Sequence, residues 1–384
     1  MRRVLAALMM VGALAGCASS GGGPREEVPE PPSPRSVNSD LRLDRLWETG
    51  VGGGAGSAAN GLRLALYDGR LYAAGAAGRV SALAADSGKT LWRTELDASL
   101  GGGPGVGAGK VFVGSRDGRV FALSAADGER LWERRLSGEI LTVPAVLDGQ
   151  VIVRTVDGRV HGLDAADGAP VWLFQRSLPS LTLRGNADPL TVPGGVLLGL
   201  DSGELVALAA PRGQVAWETD VAVPQGRSEV ERMVDVDATP VALGDTAYAV
   251  AYQGRLVAAD LRDGSLRWAR EMSAHTGLAA DNERLYLSDS DQWVWALDRF
   301  SGASIWRNDK LRGVRLGAPA LHGGYLVLGD DQGYLNWLSR DQGELQARVK
   351  QGEAVRVAPL SDGERLYVLD AGGRVQAWRV IGQD

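Results

Sequence analysis

Side chains able to do covalent or metal chemistry are scarce in this sequence. It has one cysteine and three histidines in 384 residues. A single thiol, Cys17, excludes an internal disulfide and any cysteine-based zinc or iron–sulfur site. His161, His275 and His322 fall in different repeats and lack ligand spacing. Many aspartates sit in Asp-Gly pairs such as Asp148-Gly149, Asp157-Gly158 and Asp167-Gly168, where turn geometry accounts for them. No Gly-x-Ser-x-Gly, phosphate loop or His-Glu-x-x-His is present. Two stretches combine apolar and charged residues in a way suited to recognition. One holds Leu181, Leu183 and Arg184; the other holds Arg232, Asp235 and Asp237.

Cys17 has its own chemistry. Arg2 and Arg3 precede a 12-residue apolar run, Val4 to Ala15, too short to span a bilayer. The run ends in Leu14-Ala15-Gly16-Cys17, which resembles the bacterial lipobox. Residues 1–16 are therefore expected to be a signal peptide and Cys17 a lipidated N-terminus; the alternative is a plain secretory signal with an incidental cysteine. Ala18, not aspartate, follows, and the sorting rule this resembles implies transport to the outer membrane. Residues 17–40, rich in Gly, Ser, Pro and charge, are expected to form a flexible tether. As a coil it spans on the order of 25–30 Å.

The elements that must position the recognition residues come from a repeat. The phrase Gly118-Arg-Val-Phe-Ala-Leu123, followed by Ala126-Asp-Gly-Glu-Arg-Leu-Trp132, recurs from Gly78, Gly158, Gly203, Gly254, Gln292, Gly333 and Gly373. The eight copies are spaced 40, 40, 45, 51, 38, 41 and 40 residues apart. That period is the signature of a propeller blade. The expected fold is all-β: an eight-bladed β-propeller of four-stranded antiparallel blades over residues 41–384. In one blade the strands are Pro144–Leu147, Val151–Thr155, Arg159–Leu163 and Val171–Gln175, separated by glycine turns. Proline recurs 14 residues before the phrase (Pro104, Pro144, Pro189, Pro240, Pro319, Pro359) and is expected to open each innermost strand. Small residues four after the phrase glycine leave room for a ring, and Trp92, Trp132, Trp172, Trp217, Trp268 and Trp306 are expected to pack between blades. The seventh copy has Ala347 in place of Trp and Trp337 in place of the small residue. The eighth copy stops before its fourth strand, while Arg42 to Gly50 carries Trp47 without a preceding phrase. The two fragments should pair and close the ring.

The 45- and 51-residue gaps place extra chain after Trp172 and after Trp217. Both insertions join the fourth strand of one blade to the first of the next, so they leave neighbouring blades on the same face. On the residues alone two readings stand: the leucines tuck into a loop core and Arg184 braces an aspartate, or the loops bind a partner. The net charge of −6, or −8 beyond residue 16, argues against nucleic acid and anionic lipid as broad partners.

The motif Ala-x-Asp-x-x-x-Gly-x-x-x-Trp resembles the quinoprotein-like propellers. With Leu178-Pro-Ser-Leu-Thr-Leu-Arg-Gly185, Glu229 to Pro240 and Gly329 to Leu335, it resembles most the BamB family, lipoproteins of the outer-membrane β-barrel assembly machinery. The resemblance runs from the lipobox to about Arg379. It implies a non-catalytic scaffold that aids assembly of outer-membrane β-barrel proteins, lipid-anchored at the periplasmic face of the outer membrane. It implies a partner, a POTRA domain of the BamA insertase, bound through Leu181, Leu183, Arg184, Asp235 and Asp237. It leaves open contact with nascent outer-membrane proteins. The alternative is a quinone-dependent dehydrogenase or another ligand-binding propeller. Such a dehydrogenase often carries adjacent cysteines over its cofactor, which one cysteine cannot supply; no cofactor and no metal are expected.

Overall fold

The structure, a computed structural model, describes residues 30–34, 37, 40–54, 61–182, 187–228 and 230–381. Cys17 and the signal segment lie outside the described residues.

Eight blades of four antiparallel strands form a propeller, and the sheet of blade two gains a fifth, short strand. The example blade, blade three, runs Ala145–Leu147, Gln150–Thr155, Arg159–Asp164 and Pro170–Gln175. Its first turn is set by Asp148 and Gly149, at φ +49° and +76°, the two positive angles a tight hairpin needs. Gln292 takes the place of a phrase glycine at φ +64°, and its Oε1 accepts the backbone N–H of Leu316 at 3.0 Å. The proline rule holds for most blades but not for blade two. There the innermost strand is Leu100–Gly107, with Pro104 inside it. Gly101, Gly102 and Gly103 carry the strand back far enough for Gly61–Leu62 to pair with it in parallel. A Cβ on Gly61 or Gly102 would overlap the backbone of residues 141–142, so only glycine allows that approach.

The ring closes as the two terminal fragments require. Arg42–Gly50 pairs antiparallel with Arg374–Ile381 and is the fourth strand of blade eight. The core is a set of eight apolar clusters among the described residues, each between two adjacent blades. The cluster of Leu71, Leu83, Tyr367 and Ala377 joins blade one to blade eight.

The repeated motif is an inter-blade joint. Each tryptophan lies opposite the small residue of its own blade: Ala82 with Trp92, Ala122 with Trp132, Gly162 with Trp172, and across the closure Ala377 with Trp47. Its indole N–H then reaches into the next blade. Trp92 donates to the Ala125 carbonyl at 3.1 Å, Trp132 to Ala165 at 3.2 Å and Trp47 to Ala85 at 3.2 Å. The ring lies over the glycine of that next turn. A Cβ on Gly128 would come within 2.5 Å of Trp92, and one on Gly168 within 2.8 Å of Trp132. In blade seven the pair is reversed, Trp337 opposite Ala347. The reason is the closure: blade eight takes its fourth strand from the N-terminus, so it has no turn between third and fourth strands to receive a ring from position 347.

Candidate functional site

The two insertions are residues 176–189, between blades three and four, and 221–240, between blades four and five. They leave the same face and are tied together. The backbone N–H of Asp188 donates to Thr239 Oγ1 at 3.2 Å. The Asp188 carboxylate accepts the Val143 N–H at 2.8 Å and pairs with Arg63 at 2.8 Å. Arg63, Val143, Asp188 and Thr239 all stand just ahead of the innermost strands of their blades. The links therefore gather blades one, three, four and five at one axial face.

Beneath the loops is a buried charge cluster. Arg154, on the second strand of blade three, is 3% exposed. It donates to the Gly199 carbonyl and to Asp201 Oδ1, each at 2.6 Å. The second loop straps onto the same turn: the Val236 N–H bonds the Leu200 carbonyl at 3.1 Å, and the Tyr252 N–H bonds the Asp235 carbonyl at 2.9 Å. Asp235 is 0% exposed, and its neighbours Val234 and Val236 are core residues. Asp237 is half-buried, and its Oδ1 has no hydrogen-bond partner among the described residues. Burial pushes the Asp237 carboxyl up to about 8, helped by the charges of Asp235 and Asp201 and opposed by Arg154. Among the described residues no group of three or more His, Cys, Asp or Glu is placed to hold a metal ion.

The exposed part of the face sets four apolar side chains among polar and charged ones. Leu178 and Leu181 project from the first loop, Val223 and Val230 from the second, each between 41% and 57% exposed. Val230 is presented by a reciprocal turn. Glu231 Oε2 accepts the N–H groups of Arg227 at 2.7 Å and Ser228 at 3.0 Å, while Ser228 Oγ accepts the Glu231 N–H at 3.2 Å. Those bonds hold the Glu231 carboxyl below its usual range. An ion pair between Arg176 and Glu218 fixes the root of the first loop to blade four.

The structure thus places Leu181 on the surface and Asp235 in the interior, with Asp237 between. Leu183 and Arg184 lie outside the described residues. Asp235, which the resemblance places in the partner-binding set, lies beneath the face, where it can set the loop's conformation but offers no surface. Leu178, Val223 and Val230 were not singled out from sequence. Their signal was a valine or leucine within an insertion, which alone does not separate a surface residue from a loop core.

The fold defines the class: a quinoprotein-like propeller with two long inter-blade loops on one face. The family model for outer membrane protein assembly factor BamB matches residues 76–308 and 290–380. The chain is 53% identical to the outer membrane protein assembly factor BamB of Alkalilimnicola ehrlichii, covering 99% of this chain and 97% of the relative. It is 47% identical to that of Pseudomonas aeruginosa, over 98% of both chains, and 36% identical to that of Escherichia coli, over 97% of both. The crystal structure of BamB from Moraxella catarrhalis superposes with a TM-score of 0.81 at 27% identity, over 88% of this chain and 100% of that one. The chain belongs to the BamB family of outer membrane protein assembly factors. Quinohemoprotein alcohol dehydrogenase from Comamonas testosteroni shares the fold alone, with a TM-score of 0.69 at 14% identity, over 89% of this chain and 77% of that one. The curated relatives are named as assembly factors, not enzymes.

Proposed function

We propose that the chain is a non-catalytic scaffold of the outer-membrane β-barrel assembly complex, anchored through a lipid on Cys17 to the periplasmic face of the outer membrane. Its partner is a POTRA domain of the BamA insertase, docked on the face of the two insertion loops. The observation that carries this reading is the exposed set Leu178, Leu181, Val223 and Val230 on two loops braced to each other through Asp188 and Thr239. Four apolar side chains held on a rigid base, with polar and charged residues around them, make a docking surface of the usual composition. The family resemblance assigns Leu183 and Arg184, on the first loop, to the same partner. Asp235 and Asp237 act from below, where the segment that carries them straps onto the Leu200 turn and Tyr252.

The test is capture of the POTRA region by the mature chain, alongside a thermal melt. Leu181→Ala, Val230→Glu and Arg184→Ala are expected to weaken capture at least tenfold with an unchanged melt. Asp235→Ala is expected to lower the melt as well, because it removes a buried group. Capture unaffected by all four changes refutes the docking face. Cys17→Ser is expected to move the chain from the membrane fraction to the soluble or uncleaved pool; retention at the membrane in processed form refutes the anchor.

A further inference from the structure

The fourth strand of each blade is a sheet edge, and seven of the eight edges carry charge. The residue after the docking tryptophan is Glu48 in blade eight, and Arg93, Glu133, Glu218 and Arg307 in blades one, two, four and six, all exposed. Blade five has Arg267, Arg270 and Glu271 on its edge strand, and blade seven has Lys350. Charged side chains on an edge are the common protection against pairing with another strand. Blade three lacks them. Its edge strand, Pro170–Gln175, has the sequence Pro-Val-Trp-Leu-Phe-Gln, with no charged residue.

That strand is also open and patterned. It ends the order of its sheet: past a register shift at Val171, Trp172 to Gln175 pair with strand Arg159–Asp164, and among the described residues no second strand pairs with the other side. Trp172 and Phe174 turn inward, against the cluster shared with blade four. Val171 and Leu173 turn outward, 47% and 56% exposed, two residues apart on one face. The other fourth strands of blades one to seven expose no more than one large apolar side chain each.

We propose that the edge of blade three pairs with an extended strand of an unfolded outer-membrane β-barrel client. The proposal rests on the reading of the chain as a barrel-assembly scaffold. The occupant follows from the edge. A bare row of backbone donors and acceptors takes an extended chain by strand addition, with side-chain specificity at every second residue. Barrel strands alternate apolar and polar with period two, so one face of such a strand sets its apolar side chains beside Val171 and Leu173. A charged or irregular segment gains the backbone bonds but not this lateral match. The usable edge, Val171 to Gln175, is five residues, about 17 Å of strand, whereas a membrane-crossing barrel strand has ~9–11 residues. The edge therefore holds about half a strand, suited to brief retention and release. Pro170, without an N–H to donate, stops the ladder at one end.

The probe is a synthetic ten-residue peptide of alternating apolar and polar residues, compared with a peptide of the same composition whose apolar residues are grouped. Binding is measured on the mature full chain. The alternating peptide is expected to bind at least tenfold tighter than the grouped one, and Leu173→Lys, which gives blade three the charge of its siblings, is expected to abolish that preference. Leu173→Thr, which keeps strand propensity, is expected to weaken it in part and decides the matter if the lysine variant melts early. A photo-reactive side chain at 173 is expected to capture the alternating peptide, and one at 93 is not. Equal binding of the two peptides, or no effect of either substitution, overturns the proposal. POTRA capture is measured on the same variants. Its retention by Leu173→Lys is expected and separates this edge from the loop face; capture of the POTRA domain, not the peptide, by the label at 173 overturns the assignment. Loss of POTRA capture in the loop variants with peptide binding intact leaves this proposal standing; failure of the loop face alone shows as POTRA capture unaffected by those variants.

Discussion

Gly88→Ala is expected to cost more when Trp47 is present than when it is absent. A Cβ on Gly88 would overlap the Trp47 ring and come within 2.8 Å of Thr49 Oγ1. Gly88 also sits at φ +67°, a strain of about 1 kcal/mol for alanine that does not depend on Trp47. Trp47→Ala alone removes a half-buried ring, its 3.2 Å bond to the Ala85 carbonyl and its contact with Tyr367, 5.9 Å between centroids. Truncating a fully buried tryptophan costs ~3–5 kcal/mol, so about 2–4 kcal/mol is expected for this half-buried one. In the double variant the overlap is gone and only the backbone strain and the Thr49 contact remain. The two changes should therefore fall short of additivity by about 1–3 kcal/mol. The assay is equilibrium denaturation of the four proteins, followed by far-ultraviolet circular dichroism. Trp132→Ala with Gly168→Ala is the internal reference, because that joint has the same bond and overlap between blades of continuous chain. Additivity within ~0.5 kcal/mol at Trp47 and Gly88, with coupling at Trp132 and Gly168, would refute seating of the N-terminal strand in the ring.

Two further outcomes are expected. Asp237 has a folded value of about 8, above the ordinary carboxylate range, so folding favours its protonated form; stability is unaffected below pH ~4 and falls as pH rises toward 8, by at most about 1.4 kcal/mol per pH unit. Asp237→Asn should flatten that part of the stability profile and raise the denaturation midpoint at pH 8, and an unchanged profile would show that the carboxylate is solvated or neutralised. Ala347→Trp should destabilise by ~1–3 kcal/mol, because Trp337 already fills the opposite position and blade eight offers no turn for the indole; a midpoint at or above wild type would contradict the account of the reversed pair.

Much of this protein was written in local pattern. Blade number, strand positions and ring closure followed from a period near 40, glycine turns and a missing fourth strand, because a turn needing positive φ and a two-residue alternation are properties of a few neighbouring residues. The placement of both insertions on one face followed from strand direction alone. Tertiary structure decided what each residue meets. The motif glycine looked like a turn residue, and it is one, but it is also the floor under a tryptophan from the preceding blade. Ala347 looked like a degenerate repeat and instead marks where closure removes the socket. Pro104 did not open its strand, because three glycines let Gly61–Leu62 approach from another part of the chain. Asp235 shared a loop and a charge with exposed residues, yet it is buried where backbone bonds tie its segment to Leu200 and Tyr252. Burial depends on which distant segment covers a side chain, and that information is held by no window of the sequence. The same holds for the edge of blade three, whose lack of charge acquires meaning only beside seven charged siblings placed at the rim of one ring.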